Sequence, residues 1–432
     1  MIKRIILKKG EEQRILCGHP WVYDNEVEAV VAGKGGQSAE IVPGECVDVE
    51  SFNKHYMGRA FGNPASKIVA RIYSPSKEGA DEGFFKRRIR EAVERRALTG
   101  TDVSCRLVFA EADFLPGLII DRFVGWNYDD VSPLDLPLTP IHVREKCGPP
   151  CSYLAVQILS AGIEARRELV YAALRETLPW LLDAPAGIVE KSPAGVREIE
   201  GLPPREGLVE GNFPAAGIVI FENGFPFIVD LIGGQKTGHF LDQRENHRVA
   251  ARVTPAGGRV LDAFSYSGGF AIHAAHAGAG RVIAVDVSKN ALELGKRNAI
   301  LNGVSDSIST MEADVFDVLV RFERTKERFD MIILDPPAFA KSHAARANAV
   351  KGYNEINYRA LKLINPGGIL VTCSCSFAFR EEHFKKVIVS AAGDAGRRLI
   401  ELDFRAQASC HPVLVGYDES HYLKCGIYRV IR

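Results

Sequence analysis

Arg259-Val260-Leu261-Asp262-Ala263-Phe264-Ser265-Tyr266-Ser267-Gly268-Gly269 opens a stretch that continues through Phe270 to Ala277, breaks at Gly278-Ala279-Gly280 and ends in Arg281-Val282-Ile283-Ala284-Val285-Asp286. The two short apolar runs have the length of buried strands, and the segment between them has that of a helix. Glycines in the first crossover of such a βαβ unit let the backbone approach a ligand. An acid at the end of the second strand can accept hydrogen bonds from both hydroxyls of a ribose. The turn lacks the full three-glycine dinucleotide fingerprint, so this stretch alone leaves a nucleoside pocket and a merely packed turn both open.

Strand and helix keep alternating outward from it. After Asp286, Ser288 predicts an N-cap for a helix over Lys289 to Leu301, which Asn302-Gly303 ends. Met311-Glu312-Ala313-Asp314, Phe329 to Leu334 before Asp335-Pro336-Pro337, and Ile369 to Ser376 read as further strands, with a helix over Tyr353 to Ile364. This is an α/β pattern with a doubly wound, largely parallel sheet. Upstream, Ile218 to Glu222 and Phe225 to Leu231 flank Asn223-Gly224 as a hairpin. A polar loop, Gly233 to Phe240, then leads to a helix near Asp242, where Asp242 and Glu245 have capping-box spacing.

Ligands of such a sheet sit beyond the carboxyl ends of its strands. The groups there are Asp262 with the turn Phe264, Ser265, Tyr266, Ser267 and Gly268, then Asp286, Asp314, Asp335-Pro336-Pro337, and the pair Cys373 and Cys375. Asp286 suits a ribose diol and Asp314 an adenine amino group. Each carboxylate could equally be a helix N-cap.

A chain of 432 residues is too long for one ordinary core. Residues 1–75 carry short alternating runs such as Ile5-Ile6-Leu7, Cys46 to Val49 and Ile68 to Tyr73, which predict a small β-barrel or compact sheet. A helix from Phe84 places Phe85, Ile89, Val93 and Leu98 on one face and a basic surface from Lys86 to Arg96 on the other. That surface suits a phosphate backbone or simply solvent. Gly125 to Pro150 shows no periodicity and is expected to be an exposed loop. Domains are expected over 1–75, 76–203 and 204–432.

The composition, 46% hydrophobic and 25% charged, is that of a globular protein, and no apolar run has the length of a membrane span. The start Met1-Ile2-Lys3-Arg4 leads into a strand rather than a signal peptide, so a cytoplasmic enzyme is expected. Nine scattered cysteines argue for free thiols. Cys147 and Cys151 with Cys373 and Cys375 do not have zinc-finger spacing, and no metal is expected. A net charge of zero leaves a nucleic-acid partner open.

The motifs at Val260 to Asp286, Asp314 and Asp335-Pro336-Pro337 resemble those of class I S-adenosylmethionine-dependent methyltransferases. More narrowly, the chain resembles the bacterial 23S rRNA cytosine-5 methyltransferase family with an N-terminal PUA domain. The likeness rests on His19-Pro20-Trp21-Val22-Tyr23, Leu115 to Arg122, Gly234-Gln235-Lys236-Thr237-Gly238 with Phe240 to Arg244, Phe264 to Phe270, Asp335-Pro336-Pro337 and Ser374-Cys375-Ser376. It implies a PUA barrel, an α+β central domain and a C-terminal Rossmann-like methyltransferase domain. It also implies S-adenosyl-L-methionine as cofactor, bound partly by Lys236, Thr237, Phe240, Gln243, Arg244 and Pro336, and ribosomal RNA as partner. Two departures are the stretch Gly125 to Pro150, which looks inserted, and Thr372-Cys373-Ser374-Cys375-Ser376, with two cysteines where the family usually has one. A homodimer is left open.

Cytosine C5 is a poor nucleophile, and a thiolate adding to C6 makes it enamine-like. Cys375 is the expected nucleophile, being nearer the rim and in the Ser-Cys-Ser setting, with Cys373 second; two core cysteines are the plain alternative. Asp335 can hold the base by accepting from N4 or, protonated, by donating to N3. The same loop suits transfer to an exocyclic nitrogen, and a third reading is an RNA-binding protein with a relic cofactor fold. The target base must be unpaired or flipped. Trp21 and Tyr23 could contact RNA, although an aromatic in a barrel is more often core. No residue is expected from the sequence as the proton-abstracting base.

Overall fold

The computed structural model describes residues 2–33, 36–97, 103–234, 237–339 and 346–431. Lys236 and Leu98 lie outside them. The strands form three seven-stranded sheets in chain order. In the first, Lys3–Leu7 pairs in parallel with Cys46–Glu50 and antiparallel with Val27–Ala32. Ile5, Leu7, Val47, Val49, Ala60 and Ala70 form its core. Alternation at period two is why these runs were readable.

The middle sheet runs Arg205–Gly211, Pro185–Ser192, Cys151–Ile158, Leu118–Asn127, Ile218–Glu222 and Phe225–Val229, with Cys105–Phe109 also paired to Leu118–Asn127. The expected boundary at 203/204 therefore cuts through this sheet. Arg205–Gly211 and the 218–229 hairpin belong to it, because Ile218 to Ile220 hydrogen-bond to Gly125 to Asn127.

Gly125 to Pro150 is not a bare loop. It holds helices Tyr128–Val131 and Pro140–Cys147, and Val131, Leu138 and Val143 are buried against Val219, Ile228 and Leu301. Helices of 4 and 8 residues are too short to show a period, so tertiary packing rather than local pattern defines them.

The third sheet is built from β1 (Arg259–Ala263), β2 (Arg281–Asp286), β3 (Ile308–Glu312), β4 (Phe329–Leu334), β5 (Ile364–Ser374), β6 (Arg398–Arg405) and β7 (Lys424–Ile431). Its order is β3-β2-β1-β4-β5-β7-β6, parallel from β3 to β5 and antiparallel where β7 joins β5 and β6. Leu261, Ala263, Val285, Ile332 and Leu334 face one helix layer, and Val260, Val282, Ala284, Met331 and Ile333 the other. Burial on both faces explains why these strands are continuous apolar runs. The order reverses between β1 and β4, so the β1 turn opens at the switch point of the sheet.

Candidate active site

The β1 turn is held in a shape few side chains adopt: Phe264, Tyr266 and Gly268 have φ of 65°, 47° and 85°. The helix Gly269–His276 starts there, and a Cβ on Gly269 would lie 2.5 Å from the His247 ring, so only glycine fits. Asp286 braces the turn from β2, its Oδ2 accepting from Tyr266 N at 2.9 Å and its Oδ1 from Ser288 N at 2.8 Å. Each oxygen keeps a second lone pair for a ligand hydroxyl. Asn298 ties the turn to the middle sheet, donating to Ser267 O at 3.0 Å and accepting from Ile228 N at 2.8 Å.

Asp262 is buried at the end of β1, with Oδ2 accepting from Ala271 N at 2.9 Å. Its Oδ1 and the hydroxyl of Ser265 are buried without a hydrogen-bond partner. Burial pushes the Asp262 carboxyl up to about 7; His247 opposes this, and Asp335 and Asp286 add to it. Three carboxylates around a turn with orphaned polar atoms suit a ligand that carries positive charge and a ribose. Asp335 N donates to Ala263 O at 3.3 Å, which places the Asp335-Pro336-Pro337 loop beside β1.

The residues expected on the cofactor from upstream divide. Phe240 packs edge-on against the Tyr266 ring, centroids 4.9 Å apart, and the Tyr266 hydroxyl donates to Gly238 O at 3.4 Å, so this segment covers the turn. Thr237 instead donates to Asp121 of the middle sheet at 2.6 Å, and Arg244 Nη1 donates to Ser104 O at 3.1 Å. Gln243 is buried; its Oε1 accepts from Asn246 at 2.6 Å, and its side chain also bonds Cys373. The Asp242 and Glu245 pair makes no capping box, because Asp242 accepts from the Tyr422 hydroxyl and Glu245 from Ser409. Asp314 is an exposed N-cap, accepting from Phe316 N at 2.7 Å.

The two cysteines of β5 differ. Cys373 is 0% exposed, paired in register with Cys425, and burial first and Cys425 next raise its thiol well above 9.0. Cys375, one residue beyond the strand, is half-buried, and its thiol donates to the Pro336 carbonyl at 3.8 Å. The strand ends at Ser374, so the alternation expected to aim both cysteines the same way stops before Cys375, and the sheet closes over Cys373. The Cys147 and Cys151 thiols are free, and no cysteine belongs to a metal-type cluster among the described residues.

One group had no signature in the sequence. Glu222, in the hairpin, is buried with His239 Nε2 at 2.8 Å, His247 Nδ1 at 2.7 Å and His273 Nε2 at 3.9 Å. Asn223 lies 3.0 Å from His273 Nε2, and His273 Nδ1 2.8 Å from Gly269 O. Glu222, His247 and His273 are also close enough together to hold a metal ion. The short contacts make this a hydrogen-bonded ionic core that fixes His247 beneath Asp262. Residues 17 to 51 positions apart meet there, which no local pattern announces.

The basic helix, Glu82–Ala97, is largely neutralised. Lys86 pairs with Glu82 and Glu176, Arg87 and Arg88 with Glu78 and Glu91, and Arg95 and Arg96 with Asp113. Arg90 stays exposed and lines a groove with Trp180, which is 87% exposed. Trp21 is tied down, its Nε1 donating to Glu111 at 2.7 Å.

Comparison with known proteins agrees with this geometry. A family model described as S-adenosylmethionine-dependent methyltransferase matches residues 142–395, and one described as a PUA-like domain matches 5–75. Ribosomal RNA large subunit methyltransferase I of Aeromonas salmonicida is 38% identical over 97% of both chains. The protein of that name from Shewanella denitrificans is 38% identical over 100% of both. A solved SAM-dependent methyltransferase from Streptococcus mutans has the same fold, with a TM-score of 0.79 over 99% of this chain and 100% of its own at 22% identity. A methyltransferase solved in complex with SAH matches equally, at a TM-score of 0.79, 22% identity and the same coverage of 99% and 100%. No described helix is long and apolar enough to cross a membrane. The chain, with its PUA-like domain, belongs to the S-adenosylmethionine-dependent methyltransferase family, among the relatives of ribosomal RNA large subunit methyltransferase I.

Proposed function

We propose that this protein methylates C5 of a cytosine in large-subunit (23S) ribosomal RNA through a covalent adduct on Cys375. The observation that carries the reading is the half-buried Cys375 thiol at the strand end, 3.8 Å from the Pro336 carbonyl and on the same rim as Asp262 and Asp286. The names of the relatives support an RNA substrate.

S-adenosylmethionine supplies, when bound, an electrophilic methyl group on a sulfonium sulfur. Asp286 holds the ribose hydroxyls, Asp262 faces the positively charged end, and the turn Phe264 to Gly268 with Phe240 and Pro336 lines the nucleoside. Asp314 is exposed toward the adenine edge. Ionised Cys375 adds to C6, its electron pair forming the S–C6 bond while the C5–C6 π pair moves into the ring and makes C5 nucleophilic. C5 takes the methyl group, the carbon–sulfur bond that held it breaking with its electron pair left on sulfur. A base then removes the C5 proton, the S–C6 bond breaks, and the electrons return to sulfur. Asp335 orients the base at N4 or N3. The base reaches this rim only if unpaired or flipped, and Arg90 with Trp180 offer a cation and a ring to the flanking RNA.

Labelled methyl transfer followed by nucleoside mass spectrometry tests the reaction. The label is expected in 5-methylcytidine; label in an N-methylated nucleoside would move the chemistry to the Asp335-Pro336-Pro337 loop alone. Asp286→Ala is expected to weaken S-adenosylmethionine binding by roughly 10- to 100-fold, the loss of hydrogen bonds to a charged group. Calorimetry checks this, and no heat with the wild-type protein would favour a relic fold.

A further inference from the structure

Lys424 is 1% exposed at the start of β7, paired in register with Ser374 of β5. Its Nζ donates to the carbonyls of Ser376 and Tyr422, each at 2.7 Å, so the ammonium spans the turn in which Cys375 sits. Among the described residues no carboxylate lies within ion-pair distance of it. A buried cation held only by carbonyls is costly, and such a charge persists where an anion forms beside it. We propose that Lys424 is a positioning residue that holds the Cys375 sulfur as a thiolate, forming with it an ion pair ready for addition to the pyrimidine.

This inference rests on the reading of Cys375 as the nucleophile. The Sγ–H bond breaks with its proton leaving to solvent, both electrons stay on sulfur, and the Lys424 ammonium balances the new charge. Burial brings the Lys424 amine down to about 8, with Cys375 and then Glu381 opposing, so it is still mainly cationic at neutral pH. Among the described residues the Tyr422 hydroxyl, which donates to Asp242, and the Tyr353 hydroxyl, shared with Ser374 and Ser376, also face the thiol. Neither of these is a cation, and Asp335 across the rim is an acid, whereas Lys424 has the right sign for a thiolate.

The test is the pH dependence of iodoacetamide alkylation at Cys375, read by peptide mass spectrometry on the full-length protein, with exposed Cys17 as internal control. Lys424→Met is expected to raise the Cys375 midpoint by about one pH unit, a roughly tenfold slower reaction near neutrality, leaving Cys17 unchanged. Lys424→Arg is expected to restore most of the shift. An unchanged profile in Lys424→Met overturns the proposal. Should that variant fail to fold, the wild-type protein decides, since a Cys375 midpoint at or above that of Cys17 is equally fatal. Alkylation needs no RNA, so a low midpoint without 5-methylcytidine would overturn the proposed reaction and leave the ion pair standing.

Discussion

Cys375→Ala is expected to lose RNA methylation by about ten-thousand-fold or more while S-adenosylmethionine binds as before, because the proposed covalent route needs its sulfur. Cys375 lies past the end of β5 at the Pro336 carbonyl. Cys373→Ala is expected to behave in the opposite way. Its thiol is packed with Met331, Val371 and Cys425, so alanine leaves a small cavity worth about 1–2 kcal/mol of stability and turnover close to wild type. Single-turnover transfer and urea melts of the two variants separate the roles. Full activity in Cys375→Ala, or loss confined to Cys373→Ala, would reverse the assignment.

Glu222→Ala is expected to cost about 3–5 kcal/mol of folding stability, since it strips the partner from a charged, buried imidazole. Burial pushes the Glu222 carboxyl up, but His247 and His239 more than reverse this and leave it well below 4.5. Burial lowers the His247 imidazole, and Glu222 more than compensates, holding it above 6.5. The sign follows from linkage. The Glu222 contribution is present above its unfolded value of 4.5 and fades as pH falls through the lower folded value. The His247 contribution is complete below 6.5 and fades as pH rises through the higher folded value. The stability gap between wild type and Glu222→Ala is therefore widest between 4.5 and 6.5 and narrows on either side. His273 acts the other way in the wild type: burial takes it down to about 4, so the unfolded chain binds a proton first and stability declines from 6.5 toward that value. Urea titrations at pH 5, 6 and 8 measure the gap. A gap below about 1 kcal/mol, or one indifferent to pH, would show that Glu222 is not the anion of this cluster.

The same cluster shows why some of the site was legible in the chain and some was not. Asp262, the turn Phe264 to Gly268 and Asp286 belong to one βαβ unit, where spacing along the chain and distance in space are nearly the same thing. Thr237 and Arg244 sit in an equally suggestive segment, yet they donate to Asp121 and Ser104, in and beside the middle sheet, partners fixed only when that sheet docks, while Gln243 accepts from Asn246 three residues on. The Lys86 to Arg96 surface reads as basic in one dimension. In three dimensions most of it is neutralised by Glu78, Glu82, Glu91, Glu176 and Asp113, two of these from its own helix.

By itself, then, the sequence determined the α/β sheet and the acids that follow its strands, because continuous apolar runs and glycine turns are properties of neighbouring residues. Tertiary structure alone decided which cysteine stays open, that Gly125 to Pro150 packs as helices against the hairpin, that Lys424 reaches the turn holding Cys375, and that the Glu222 histidines pack against the β1 turn. Those outcomes depend on strands and helices far apart in the chain closing over one another, and burial of that kind has no signature in local order.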